Sequence, residues 1–201
     1  MKKYIIIIVN TLLLFLAYPA YAITLSQLQQ QFSQYPVVRA DFVQHRYIQG
    51  LSKPLISSGK MIVSEELGLL WQQQLPFVMT LKMNDQRMEQ TIFGQKTQTI
   101  TAESQPQLFQ FNYLLTAIFK AEQDILEHNF DITLSEQGNI WQLTLIPKLS
   151  PLNKIFMKIE LSGATYLSQI ILYDQQHDKN DILFSNHQTQ PLNTNERHDF
   201  N

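Results

Sequence analysis

The fold is decided by the stretch Val37-Val38-Arg39-Ala40-Asp41-Phe42-Val43-Gln44-His45-Arg46-Tyr47-Ile48, in which polarity changes at every second residue. Val38, Ala40 and Phe42 are apolar, whereas Arg39 and Asp41 between them are charged. Because successive side chains of a β-strand point to opposite faces of its sheet, this period of two predicts a half-buried strand.

Strand-like runs of the same kind fill most of the rest of the chain. Short polar turns separate several of them, among them Asn84-Asp85 and Gln137-Gly138-Asn139. Such turns join antiparallel neighbours, so the pattern predicts an antiparallel meander of about ten or eleven strands. The further strands are predicted over 59–64, 69–74, 77–83, 87–93, 96–101, 130–136, 141–146, 155–161, 168–173 and 182–189.

A short helix is predicted ahead of the first strand. Apolar residues recur on one helix face from Leu25 to Tyr35, behind Thr24 or Ser26 as the capping residue. Pro36 ends this pattern, because proline cannot continue a helix.

A second helical segment interrupts the strands between 106 and 128, with a more polar helical turn over 121–127. Its first part is apolar nearly all round, so it must be covered on more than one side. Two placements remain open: a lid across the mouth or inside of a curved sheet, or an ordinary helix packed on a flat sheet. The apolar stripe consists of Leu108, Phe111, Leu115, Ile118 and Phe119.

The first 22 residues have the pattern of a cleaved export signal. Met1-Lys2-Lys3 is followed by an apolar run over 4–17, Pro19, and the small-residue site Ala20-Tyr21-Ala22. The apolar run is about 14 residues long, too short for a spanning helix of roughly 20 residues. We therefore expect cleavage after Ala22 and an exported, soluble mature chain that is extracellular or periplasmic.

The remaining residues, 23–201, are expected to form one domain whose polar tail over 190–201 is flexible. The formal charge of −2 falls to −4 once Lys2 and Lys3 are removed, and no basic block is present, so nucleic acid is not an expected partner. The chain contains no cysteine. We therefore expect no lipid anchor on a cysteine and no disulfide bond, so that stability comes from the hydrophobic core. A monomer is expected.

Signatures of catalysis are missing from the sequence. None of the five histidines has a partner at metal-ligand spacing, and no nucleophile elbow or phosphate loop occurs. We expect neither an enzyme nor a cofactor or metal. An enzyme would need a titratable group inside the fold, and the acidic residues near predicted strands are Glu65, Glu66, Asp85 and Glu89.

Several short motifs resemble the periplasmic lipoprotein carriers of the LolA family. The segment 38–44 resembles their x-x-A-x-F-x-Q strand, and 59–63 followed by 69–76 is similar to their G-x-φ-x-φ and x-x-W-x-x-x-x-P pair, where φ is apolar. The segment 141–147 resembles the later W-x-L-x-L-x-P strand, and 155–161 with 167–172 fits the paired strands beyond it. Order, spacing and export signal together make the resemblance more specific than any one motif.

This resemblance implies an unclosed antiparallel β-barrel, mainly β with an α lid, around an apolar cavity. It implies a soluble protein in the periplasm of a Gram-negative bacterium, a carrier and chaperone of outer-membrane biogenesis. Such a protein takes an acylated lipoprotein, a lipid or a glycolipid from an inner-membrane exporter to an outer-membrane acceptor. A filled core explains the same apolar residues equally well. The expected cavity and lid residues are Ala40, Phe42, Leu69, Trp71, Met79, Leu81, Met83, Met88, Leu108, Phe111, Leu115, Ile118, Phe119 and Trp141.

One position departs from the family pattern. The carriers place a lid-latching arginine where the alignment through Val63 and Trp71 puts Glu65, and Gly68-Leu69-Leu70 lacks their Arg-Pro-x-x-φ sequence. The latch is therefore not carried over, and both lipoprotein and other lipid cargo stay open. The alternative function is an envelope lipid sensor or adaptor that uses the same half-barrel.

We predict that the chain is exported and cleaved after Ala22. We expect the protein recovered from the periplasm of expressing cells to begin at Ile23, as read by N-terminal sequencing or intact mass. Ala20→Leu, which removes a small side chain from the cleavage site, should leave the precursor uncleaved, whereas Tyr18→Leu should not. A periplasmic protein that still starts at Met1 would contradict the prediction.

Overall fold

The computed structural model describes residues 23–84, 86–101, 103–104, 117 and 122–200. Its main element is one sheet of eleven strands, every neighbouring pair antiparallel, in the order β6-β5-β4-β3-β2-β1-β11-β10-β9-β8-β7. Over the described residues β6 and β7 are free edges, so the sheet is not closed into a barrel. The strands are β1 (Val37–Tyr47), β2 (Leu55–Ser64), β3 (Gly68–Leu75), β4 (Met79–Met83), β5 (Arg87–Ile92), β6 (Gln98–Thr101), β7 (Phe130–Gln137), β8 (Ile140–Pro147), β9 (Phe156–Gly163), β10 (Leu167–Asp174) and β11 (Lys179–Gln188).

The predicted open antiparallel sheet is confirmed, with differences at strand ends. β2 begins at Leu55 rather than at 59, because residues 55–58 pair with the second half of β1. β4 begins at Met79 rather than at 77, because Phe77 and Val78 lie in the turn after Pro76, where Gln73 Nε2 donates to the Phe77 carbonyl.

The described helices are short. They are α1 (Leu25–Ser33), α2 (Gln123–Asn129), α3 (Leu152–Ile155) and α4 (Thr194–Phe200). α1 starts with a capping box, in which Thr24 Oγ1 accepts from the Gln27 N–H and the Gln27 side chain accepts from the Thr24 N–H. The predicted helix and its cap at Thr24 are thus confirmed. The predicted turn over 121–127 corresponds to α2, whereas α3 was not anticipated.

The sheet curls around the helices, with Ala40 and Phe42 on its inner face. Trp141 of β8 and Met61 of β2 belong to the same buried cluster, together with Leu28 of α1. Those strands are five steps apart in the sheet, which in a flat sheet would separate them by about 24 Å. Such residues can share one core only if the sheet is strongly curved.

The outer face is covered near β1 to β3 by the C-terminal segment. Leu192 and Phe200 pack there on Val37, Ile62 and Leu70. The expectation of a flexible tail over 190–201 is wrong for this segment, because α4 forms and both apolar side chains are buried.

Arg39 clamps the C-terminal segment to the sheet. Its guanidinium donates to the Glu196 carboxylate at 2.5 and 2.6 Å and to the carbonyls of Gln190 and Pro191 at 2.6 and 3.1 Å. These hydrogen bonds lower the pKa of the Glu196 carboxyl below its ordinary value and raise the pKa of Arg39. The charged pair therefore stabilises the docked α4.

Loss of this pair should depend on pH. The folded-state pKa of Glu196 is depressed, so its contribution is present above the ordinary pKa of 4.5 and is lost as the pH falls through the lowered value. We expect Glu196→Gln to lower the free energy of unfolding by about 1 kcal/mol at pH 7 and by progressively less below pH 4.5. Urea unfolding at a series of pH values measures this.

Glu66→Gln is the matched control, because Glu66 also bonds an arginine of α4, Arg197, but is 68% exposed. Its effect should stay within about 0.5 kcal/mol. An equal loss in the two variants, or a loss at Glu196 that does not change with pH, would contradict the clamp.

Candidate functional site

An aromatic stack crosses the inner face over a glycine. Phe42 of β1 and Trp71 of β3 stack with ring centroids 3.7 Å apart at 26°, although β2 runs between their strands. The residue of β2 that pairs with Phe42 is Gly59, which has no side chain to keep the rings apart. Phe184 of β11 pairs with Phe42 and meets the Trp71 ring edge-on at 6.4 Å. The three rings form a platform of which Trp71 is the half-buried part.

A row of flexible apolar side chains continues from this platform toward β5. Trp71 pairs with Leu81, Leu69 with Met83, and Met83 with Met88, and directly paired residues share a face of the sheet. Met79, Leu81 and Met88 are only half-buried. Thioether side chains adapt to irregular apolar shapes, so this row is suited to an acyl chain.

The structure thus brings eight predicted site residues onto one continuous inner face. Ala40 and Phe42 are its floor, at 3% and 1% exposure, and the rest are Leu69, Trp71, Met79, Leu81, Met83 and Met88. The ninth, Trp141, lies on the β8 side, where it is 2% exposed, packs on Phe32 of α1 and donates from Nε1 to the Ala164 carbonyl at 2.7 Å. The predicted lid residues Leu108, Phe111, Leu115, Ile118 and Phe119 lie outside the described residues.

A cavity of about 420 Å³ adjoins the same face, within the roughly 300–1,000 Å³ common for ligand sites. Its sheet wall is Val38, Met61 and Val63, and the last two pair with Trp71 and Leu69. The other described lining residues come from the end of α1, the start of α2, the turn before β10 and the ends of strands: Gln29, Phe32, Ser33, Tyr35, Pro36, Glu65, Glu122, Gln123, Asp124, Ile125, Tyr166, Leu167 and His187.

None of the predicted site residues is among the described residues that line this cavity. Met61 and Val63 could have been found from the sequence, because they alternate in a predicted strand and fall on the same sheet face as the predicted site residues. Tyr166 and His187 could not have been found in this way. Each lies in a polar stretch whose position depends on contacts distant in sequence. The assignment of ligand contacts to the predicted residues therefore stays a prediction.

The cavity wall combines an aromatic ladder with carboxylates. Tyr166 stacks on His187 at 5.0 Å and meets Tyr35 at 5.1 Å, and hydrogen bonding to Tyr166 raises the pKa of Tyr35. His187 Nε2 lies 2.8 Å from the Leu167 carbonyl, which can only accept, so this nitrogen donates. Glu65, Glu122 and Asp124 make the same opening acidic. The opening disfavours an anionic group and accommodates a neutral or cationic one.

The sequence matches the family model described as outer membrane lipoprotein carrier protein LolA over residues 33–199. The chain belongs to the LolA family. No curated protein matches the chain.

Three solved structures are similar in fold to this LolA family member. A LolA superfamily protein from Nitrosomonas europaea is 8% identical, with 87% of this chain and 97% of that chain covered and a TM-score of 0.47. A DUF1329 family protein from Desulfovibrio piger is 12% identical, with 85% and 92% covered and a TM-score of 0.48. A putative outer membrane lipoprotein-sorting protein domain from Vibrio parahaemolyticus is 10% identical, with 88% and 95% covered and a TM-score of 0.43. Membership of the family rests on the family model.

Glu65, at the position where the resemblance leads us to expect an arginine, lies in the turn after β2. The Glu65 backbone N–H donates to the Pro36 carbonyl at 2.9 Å, and Glu65 is one of the residues that line the cavity. The neighbouring Glu66 instead bonds Arg197 of α4 at 3.2 Å. The two neighbouring carboxylates therefore have different surroundings, the cavity for Glu65 and α4 for Glu66.

Gly59 should tolerate no side chain, because the backbone of β3 lies directly against it. A Cβ at Gly59 would lie 2.0 Å from the Gln72 carbonyl oxygen and 2.8 Å from the Gln73 Cα, both backbone atoms. We expect Gly59→Ala to lower the free energy of unfolding by about 2 kcal/mol or more, measured by urea unfolding. Ser57→Ala, two residues earlier on the same face, is the control and should change it by less than about 0.5 kcal/mol. Equal stability of both variants would contradict the described close approach.

Proposed function

We propose that the protein is a periplasmic carrier that shields the acyl chains of a lipoprotein or another lipid and delivers them toward the outer membrane. The observation that carries this proposal is the inner face from β3 to β5, where Trp71, Leu81 and Met88 remain half-buried beside a cavity. The inner residues of β8 and β9, such as Leu143 and Ile159, are at most 1% exposed by comparison. The β8 side of the curved sheet is therefore a filled core, and we infer that the β3 to β5 side holds the ligand.

Acyl chains fit the chemistry of this half. Each buried methylene contributes roughly 0.8 kcal/mol, so an acyl chain leaves a membrane for water only if an apolar surface replaces its surroundings. Trp71 offers a rigid ring, while Met79, Met83 and Met88 offer side chains that adjust to different chains. No covalent step is needed, and we propose no catalytic residue.

The acidic opening bears on the cargo. Glu65, Glu122 and Asp124 around the cavity would repel a phosphate group lying there. A neutral headgroup, such as an amide-linked lipoprotein N-terminus or a sugar, carries no such penalty. The site therefore favours lipoprotein or glycolipid cargo over an anionic phospholipid.

The export signal over 1–22 and the family membership support a route across the periplasm. Among the described residues, no helix has the length and apolar character that crossing a membrane requires. We propose transient contacts with an inner-membrane exporter that loads the carrier and an outer-membrane acceptor that unloads it. Unloading requires the acceptor to bind the acyl chains more tightly than the open state of the carrier does.

Native mass spectrometry of protein purified from its own periplasm without detergent tests the proposal. Wild-type protein should carry a lipoprotein or lipid, and Trp71→Glu should be empty, because desolvating a carboxylate in an apolar site is costly. Gln72→Glu is the matched control on the adjacent outer-face position of β3 and should retain the cargo.

The outcomes separate the candidate functions. A bound lipoprotein or a bound glycolipid identifies the class of cargo. A folded Trp71→Glu variant that retains normal cargo would show that the inner face is not the site. A wild-type protein that is empty but copurifies with a membrane protein would favour the alternative of a lipid sensor or adaptor.

A further inference from the structure

Large apolar side chains are exposed on the turns at one end of strands β1 to β6. Phe93 is 82% exposed, Leu75 62%, Leu51 and Leu55 54%, and Phe77 and Val78 52%. They lie on the connections β1–β2, β3–β4 and β5–β6 or, for Leu55 and Leu75, on the strand residue next to one, and these connections emerge at the same end of the antiparallel strands. We call these six residues the apolar rim.

The backbone holds two of these turns together. The Phe93 N–H donates to the Val78 carbonyl at 3.0 Å, and Gln73 Nε2 donates to the Phe77 carbonyl at 3.1 Å. Gln73 is itself 7% exposed, so the turn that carries Phe77 is fixed from below. The apolar side chains are thus presented on an ordered edge.

The charges around the apolar rim are of one sign. Residues 48–57, 75–79 and 92–98 include Lys53 and Lys96, both exposed, and no aspartate or glutamate. The nearby Asp178 is only 9% exposed, accepts the Gln49 N–H at 2.9 Å and lies 3.9 Å from Arg46.

The opposite ends of the same strands carry charges of both signs. Glu65, Glu66 and Glu103 are exposed there, beside Arg87, which begins β5, and Arg197 of α4, which bonds Glu66. The connections at the rim are therefore basic, whereas the opposite end is mixed.

We propose that the apolar rim docks the protein on the surface of a bilayer that contains anionic phospholipid. Exposed phenylalanine and leucine side chains can insert at the boundary between headgroups and acyl chains, while Lys53 and Lys96 meet the phosphates. This surface is separate from the cargo site and does not depend on which cargo is carried.

Vesicle flotation of the processed protein tests the docking. We expect binding to vesicles of phosphatidylethanolamine and phosphatidylglycerol that is at least about tenfold stronger than binding to phosphatidylcholine vesicles and that weakens with salt. The double variant Phe77→Ser/Phe93→Ser should lose at least about tenfold in affinity. Lys53→Gln/Lys96→Gln should lose most of the dependence on salt and on anionic lipid.

Matched controls separate the rim from general surface effects and from cargo binding. Ile140→Ser removes an apolar residue of 41% exposure at the opposite strand end, and Lys60→Gln removes an outer-face charge. Both should bind vesicles like wild type, as should Trp71→Glu, whose defect lies in the cargo site. The docking proposal is wrong if the wild-type protein binds neither kind of vesicle, or if the rim variants bind vesicles as well as the wild type does. If the rim instead contacts a partner protein, the wild-type protein should bind neither kind of vesicle.

Discussion

The curl of one open sheet around a short helix is the constraint on which the rest of the structure depends. Leu28 and Phe32 of α1 occupy the β8 side of the inner face, where Trp141 is sealed by a ring contact and a hydrogen bond. On the other side the rings of Phe42 and Trp71 meet over Gly59, which holds β1, β2 and β3 in the curved arrangement. Among the described residues, the inner face is filled by buried side chains on the β8 side, whereas Trp71, Leu81 and Met88 on the β3 to β5 side stay half-buried.

The sheet and its inner face could be predicted from the sequence because both follow from local rules. A period of two assigns each side chain to a face, and a register error of one residue would have reversed every assignment. The pairs Ala40–Met61, Met61–Trp71 and Trp71–Leu81 show that the faces were assigned in the right phase. Residue type and alternation are therefore sufficient to assign the strands and the face on which each side chain lies.

The cavity and the C-terminal clamp could not be predicted, because both are made by residues distant in sequence. Tyr35, Tyr166 and His187 form one ladder from the segment after α1, the turn before β10 and the end of β11, and nothing in their local sequence sets them side by side. The segment after β11 has a polar sequence, which is typical of a solvent-exposed tail. Leu192 and Phe200 are nevertheless packed on the outer face, and Arg39 bonds the Gln190 carbonyl and the Glu196 carboxylate of the same segment. Burial of an isolated apolar residue depends on the partner surface, which a single segment does not specify.

The two proposals together describe a path along the sheet. Met79 adjoins Val78 of the apolar rim, and Leu81 and Met83 follow it along β4 on the inner face. At about 3.3 Å per residue, the four steps from Met79 to Met83 cover about 13 Å, a distance comparable to the length of an extended acyl chain segment. Through Leu69 and Val63 this row reaches the wall of the cavity at the strand end where Glu65 lies. An acyl chain handed over by the exporter beside a docked rim would therefore find apolar side chains along β4 all the way to the cavity, although the rim itself is not part of the cargo site.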